Sequence, residues 1–197
     1  NEPAGEILAE LGIAGQVDLI RDERGVEYPD FSLWKPDTYK GKYWRQSCLK
    51  ELFPNQIQGI NRYYAFYDRM MKLSALMRRA EKEKGLARLW AKIHSALLFQ
   101  PIKGMKQWSA ATLMDEFFSN SKLKAVFTTL LADFVTPPNQ FPGLWIPAIN
   151  NESPFDRNMP LNGQPSFHYV KGGMENLTQA LCGVVAKNGG RILPNTC

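Results

Sequence analysis

The clearest pattern of secondary structure in the sequence lies in residues 167–196, FHYVKGGMENLTQALCGVVAKNGGRILPNT. The first four of these residues are mostly aromatic or β-branched, which predicts a short strand. Gly172 and Gly173 then interrupt the strand pattern. Apolar side chains follow at helical spacing, and they are Met174, Leu177, Leu181, Val184 and Val185. The pattern therefore predicts a strand, a glycine turn and a helix with one apolar face.

The second half of this stretch predicts the end of the helix and a return to strand. Residues 188–190, Asn-Gly-Gly, tolerate the positive φ with which helices commonly end. Residues 191–193 then return to a strand pattern that leads into the last residues of the sequence. Together the two halves predict a strand–helix–strand unit of about the minimum length for a βαβ crossover.

The segment YVKGGMENLTQAL, residues 169–181, followed by a Gly-Gly pair and a strand pattern, resembles one found midway through FAD-dependent oxidoreductases of the phytoene desaturase type. That family includes carotenoid isomerases and retinol saturase-like proteins, and amine oxidases are more distant relatives. In such enzymes this segment carries the chain from the substrate domain back to the flavin domain. Residues 10–13, ELGI, similarly resemble the passage by which family members enter the substrate domain.

The resemblance implies that residues 1–168 form a substrate-binding domain and that residues 169–197 return toward a flavin-binding domain of the same polypeptide. It also implies that Gly172, Gly173 and Met174 contact FAD in the complete protein. The phosphate-cradling G-x-G-x-x-G of such enzymes is missing, since the sequence contains no G-x-G. We therefore expect this chain alone to bind FAD poorly and to have no redox activity. The complete enzyme would oxidise or isomerise an apolar, polyene-like substrate.

The remaining pattern predicts an α+β fold in which a helical subdomain dominates a small mixed β-sheet. Residues 17–20, 26–28 and 31–34 have the composition of short strands. A helical region spans residues 55–134. Its helices are predicted over residues 56–84, over residues 86–99, from a Ser109 or Thr112 cap to Phe118, and from a Ser121 cap to Phe134. The second of these helices carries Leu89, Trp90, Ile93 and Leu97 on one side.

Bulky apolar residues also occur in residues 137–165, a stretch that contains seven prolines. A long loop of this kind usually has a function or folds onto another surface. Within it, a short helix is predicted over residues 142–149. The resemblance implies that Phe141 and Trp145 help to shape the substrate cavity, and the alternative is that both fill the core. His168 and Tyr169, beside the glycine pair, complete the predicted substrate-binding set.

Residues 69–92 carry eight basic side chains against two acidic ones. Methionines and leucines lie between them, so one interpretation is a helix on an anionic membrane surface. Binding to nucleic-acid phosphates is a second interpretation, although no recognised motif accompanies the charge. A solvated helix face is the third. The alternative function is therefore a non-enzymatic helical module that docks on a membrane or on nucleic acid through this stretch.

Composition excludes several other classes. With 44% hydrophobic and 22% charged residues, the chain resembles an ordinary soluble globular protein. No apolar run reaches the ~18 residues of a membrane span, and the acidic N-terminus is not that of a signal peptide. Cys48, Cys182 and Cys197 are widely spaced, so they predict neither a disulfide framework nor a metal site. We expect a cytoplasmic protein, with peripheral membrane contact as the alternative that the basic stretch raises.

Overall fold

The structure is a computed structural model that describes residues 3–22, 25–34, 42–150 and 167–194. Its helices are α1 (Pro3–Glu10), α2 (Trp44–Leu52), α3 (Ile57–Lys82), α4 (Gly85–Phe99), α5 (Ala110–Phe117), α6 (Ser121–Thr128), α7 (Ile146–Ile149) and α8 (Met174–Lys187). Its strands are β1 (Leu19–Asp22), β2 (Val26–Glu27), β3 (Ser32–Leu33) and β4 (Phe167–Val170). Short 3₁₀-helices cover Pro54–Gln56, Gln100–Gln107, Thr129–Phe134 and Gly143–Trp145.

The chain divides into two units, one made of residues 1–35 with 156–197 and the other of residues 36–155. The first unit contains all four strands together with α1 and α8. The second unit is helical throughout its described part. The predicted α+β class with a dominant helical part is therefore confirmed.

The strands form two separate antiparallel pairs, whereas the sequence predicted one small mixed sheet. β2 pairs with β3 as a short hairpin. β1 pairs with β4, and Leu19 lies opposite Val170 in the register. β1 and β4 come from the two ends of the sequence, and both lie in the first unit. The observed division into units therefore differs from the predicted boundary between residues 168 and 169. Pairing between strands distant in sequence leaves no local signal, which is why the pattern did not indicate it.

The strand and helix predicted at the start of residues 167–196 are confirmed, and the strand predicted for residues 191–193 is wrong. β4 and α8 form as predicted, and α8 ends where Gly189 adopts a φ of 78°. The Gly190 N–H donates to the Val185 carbonyl at 2.9 Å, which closes the helix end. Residues 191–193 then continue without strand conformation. A single apolar run forms a strand only where a neighbouring strand takes its backbone hydrogen bonds, and β4 pairs with β1.

The helical unit is organised around an aromatic face of α3. Tyr63 is fully buried, and the centroid of its ring lies 4.2 Å from that of Phe127 and 5.7 Å from that of Phe118. The rings of Phe118 and Phe127 stack with their centroids 5.3 Å apart. These aromatic side chains place the C-terminal end of α5 and the last turn of α6 against α3. Apolar burial of this kind is the main stabilising term of a helical domain.

Most predicted helices are present, with corrections at their ends. Ser109 caps α5 by accepting a hydrogen bond from the Thr112 N–H at 3.1 Å. α6 is capped by Asn120 and not by Ser121, since the Asn120 side chain accepts from the N–H groups of the next turn. The helix predicted to run to residue 134 is α-helical only to Thr128 and then tightens into a 3₁₀-helix. α2 was not predicted.

Candidate functional site

The turn between β4 and α8 contains the predicted cofactor-binding glycines. The Gly173 N–H donates to the Val170 carbonyl at 2.9 Å and closes a β-turn, in which Gly172 has a φ of 79°. That is the turn position at which type II geometry requires positive φ and favours glycine. The Lys171 N–H donates to the Asp18 carbonyl at 2.9 Å, which anchors the turn to the segment before β1.

Asn176 also stabilises this turn, a role that was not predicted. Its side-chain amide donates to the Lys171 carbonyl at 2.8 Å. A Cβ atom on Gly172 would lie 2.3 Å from the Asn176 Nδ2 atom, so a side chain at this position would displace the Asn176 amide from its hydrogen bond. Asn side chains often bond to nearby backbone, and an Asn as the third residue of the helix is the signal that could have indicated this role.

Gly173 differs from Gly172 because the space beside it is open. It adopts φ 95° and ψ 170°, a region that is essentially restricted to glycine. A Cβ atom built on Gly173 meets no atom within 4 Å. It is also the N-cap of α8, and no side chain caps the helix there. Gly173 therefore combines a backbone conformation that other residues rarely adopt with open space beside it.

The other predicted site residues of this unit are exposed around the turn. Met174, the first residue of α8, is 64% exposed. His168 and Tyr169 are consecutive on β4, so their side chains point to opposite faces, and both are exposed, whereas Val170 is buried. The structure thus gathers Gly172, Gly173 and these side chains along one strand–turn–helix connection.

Phe141 and Trp145 lie in the helical unit. The ring centroid of Phe141 is 5.7 Å from that of Phe134, and its carbonyl accepts a hydrogen bond from the Ala110 N–H at 2.7 Å. Phe141 is thus partly packed and holds the start of α5. Trp145 is 63% exposed, so the interpretation in which it fills the core is wrong. The predicted short helix is present there as a 3₁₀-helix followed by α7.

The apolar face of α8 is not covered in the described part of the first unit. No residue of this helix is buried, and Leu181 and Val185 are exposed. A helix with an apolar stripe ordinarily buries that stripe against another element. On α8, Leu177 and Val184 are only partly buried.

The basic stretch lies on α3 and α4. Arg79 forms an ion pair with Glu83 at 2.7 Å, and Leu73 is buried. Three further basic residues are exposed, and they are Arg78, Lys82 and Arg88.

Within the described residues no group of His, Cys, Asp and Glu could hold a metal ion. Over the same residues, no helix is both long and apolar enough to cross a membrane.

Comparison of the chain with protein-family models, with curated proteins and with solved structures finds no match.

Proposed function

We propose that this chain is the substrate-binding portion of an FAD-dependent oxidoreductase similar to phytoene desaturases, acting on an apolar, polyene-like substrate. The observation that carries the proposal is the open backbone at Gly173. Glycine is the default residue where backbone and ligand approach closely, because a side chain would fill the space that the ligand needs. A Cβ atom built on Gly173 would have no protein atom within 4 Å.

The two glycines have different roles in this proposal. Gly172 forms the turn and leaves room for Asn176. Gly173 and Met174 would form one wall of the flavin site, since both face open space at the start of α8. The flavin supplies hydride transfer when bound, and the protein contributes orientation and shape. In the first unit, His168 and Tyr169 on β4 would contact the substrate. In the helical unit, taken by itself, the predicted substrate-binding residues are Phe141 and Trp145.

The uncovered face of α8 supports the same proposal. The expected partner is the flavin-binding domain of the same polypeptide, which would bury Leu181 and Val185. That domain would also supply the phosphate-binding glycines that this sequence lacks. The proposed location is the cytoplasm, on the basis of three widely spaced cysteines.

The experiment replaces Gly173 with Val and, separately, with Ala in the complete flavoprotein. Both variants carry the strain of φ 95°, of order 1–3 kcal/mol, so the difference between them isolates side-chain bulk. Gly189 provides the matched control, because it has a φ of 78° and equally open space at the other end of the same helix.

We expect Gly173→Val to lose flavin or turnover beyond its loss of thermal stability, with Gly173→Ala intermediate. Gly189→Val and Gly189→Ala should lose stability without a matching loss of flavin. The turn would be excluded from the flavin site if Gly173→Val kept normal flavin content and turnover while its thermal stability matched that of Gly189→Val.

A further inference from the structure

α4 exposes five of its large apolar residues, and Ala91 is its buried residue. Ala91 is completely buried where the helix packs along α3, and Ala87 is partly buried one turn earlier. The large side chains point away from that contact, with Leu86 84% exposed and Leu97 63% exposed. The complete exposed set is Leu86, Leu89, Trp90, Ile93 and Leu97. We call these five residues the α4 ridge.

Helical spacing explains the arrangement. The α4 ridge recurs at intervals of three and four residues, which places its members along one face of a helix. Ala87, Ala91 and Ser95 follow the same spacing on a different face, and their small side chains allow α4 to lie close to α3. The Ser95 hydroxyl donates to the Ala91 carbonyl at 2.8 Å, so its polar group is satisfied within the helix. The ridge is therefore exposed because the small residues, and not the large ones, make the tertiary contact.

Trp90 is held in a fixed orientation on this ridge. Its ring stacks on His94 with the ring centroids 3.7 Å apart, and the Arg79 guanidinium lies 5.7 Å from the ring centroid. The His94 Nδ1 atom lies 3.0 Å from the Trp90 carbonyl oxygen. Indole combines a large apolar surface with a polar N–H, a combination that suits the boundary between lipid and water.

The surroundings of the ridge are strongly basic. Residues 78–107 contain eight basic and two acidic side chains, a net charge of +6, whereas the whole chain has a net charge of +5. α4 itself contains no acidic residue. Among the described residues, Arg88 and Lys92 on α4 make no ion pair. The cationic side chains near the ridge are thus available to an anionic partner.

We propose that the α4 ridge docks on an anionic lipid surface, with α4 lying in the plane of the interface. The ridge would enter the headgroup and acyl boundary. Lys92, which follows Leu89 round the helix, and Arg88, which lies farther from the ridge, would reach acidic headgroups through their long side chains. A second copy of the chain is disfavoured, since two surfaces of charge +6 repel each other. The proposal confines the membrane contact predicted for residues 69–92 to their C-terminal part and extends it to Leu97, and it is independent of the flavin proposal.

The test measures co-sedimentation of the chain with sucrose-loaded vesicles of phosphatidylcholine alone and of phosphatidylcholine with phosphatidylserine in equal parts. We expect binding to the anionic vesicles, a blue shift of tryptophan emission that disappears in Trp90→Phe, and weaker binding as salt rises above about 0.1 M. Leu86→Gln combined with Ile93→Gln should weaken binding at least roughly tenfold, because both side chains would leave the apolar boundary. Both residues are exposed, so the folded state should tolerate the change.

Ile7→Gln combined with Leu11→Gln is the matched control, since it removes two exposed apolar side chains in the other unit and should leave binding unchanged. Arg88→Glu combined with Lys92→Glu should abolish the preference for anionic vesicles. Equal binding by the wild type and the Leu86/Ile93 double variant would overturn the proposal. Binding of an acidic peptide or an RNA with no binding to vesicles would overturn it as well, and would assign the surface to a polyanion.

Discussion

Gly59 in α3 should be intolerant of alanine although it lies in a helix. In an exposed helix interior, replacing Gly with Ala stabilises a protein by about 1 kcal/mol, because Ala has the higher helix propensity. At Gly59, however, the added Cβ would lie 2.1 Å from the Phe117 carbonyl oxygen. Real Cβ atoms do not approach a backbone oxygen so closely, so either α3 or the end of α5 must move.

Movement is costly because the end of α5 is part of the aromatic core. The centroid of the Tyr63 ring lies 5.6 Å from that of Phe117 and 5.7 Å from that of Phe118. Shifting this segment disturbs several contacts at once, and overpacking of a core typically costs 1–3 kcal/mol. We therefore expect Gly59→Ala to lower the free energy of unfolding by up to roughly 2 kcal/mol after the gain in helix propensity.

Gly183 in α8 is the matched control, since a Cβ added there meets nothing within 4 Å. Gly183→Ala should raise the free energy of unfolding by about 0.5–1 kcal/mol. Both values can be measured by urea denaturation followed by far-ultraviolet circular dichroism. The reasoning is refuted if Gly59→Ala stabilises the protein as Gly183→Ala does, because the close approach of α5 would then carry no cost.

Two further predictions concern polar groups of the helical unit. Burial raises the pKa of Asp68, but hydrogen bonds from Lys42 and Tyr43 lower it more, leaving it below its ordinary value of 3.8. The resulting stabilisation is present above pH 3.8 and is lost as the pH falls through the lowered pKa of the folded state. The difference in unfolding free energy between the wild type and Asp68→Asn should therefore narrow in acid. A difference that stays constant across this pH range in urea titrations would contradict the prediction. Asn150 is 4% exposed and donates to the Phe127 carbonyl at 2.8 Å, so Asn150→Ala should cost about 1–3 kcal/mol by urea denaturation, and a cost near zero would mean that the carbonyl finds another donor.

Local patterns predicted the elements that depend on nearby residues. The glycine turn before α8, the positive φ with which α8 ends at Gly189 and the serine cap of α5 follow from residue types a few positions apart. α2 was missed because its sequence, WRQSCLKEL, has few apolar residues, and only Trp44 and Leu49 are buried. Asn120 and Ser121 are both good capping residues, and only the backbone geometry selects the first.

Features that depend on contacts distant in sequence could not be predicted in the same way. The helical period identified an apolar side of α4, but it does not show whether that side faces the protein or the solvent. The small residues Ala87 and Ala91 determine the outcome, because they allow the close contact with α3. At the candidate site, the glycine pair was predicted, whereas the Asn176 hydrogen bond to Lys171 was missed although it spans only five residues and joins a residue type that commonly bonds to nearby backbone.

Flavin content tests the central claim most directly. The measurement compares flavin absorbance per polypeptide for residues 1–197 alone and for the complete polypeptide that the gene encodes, both purified with FAD present. The account predicts that the isolated chain is colourless, because it lacks the phosphate-binding glycines, and that the complete polypeptide holds close to one flavin. Stoichiometric flavin on the isolated chain, or a complete polypeptide that binds none, would contradict the assignment of this chain to the substrate side of a flavoprotein.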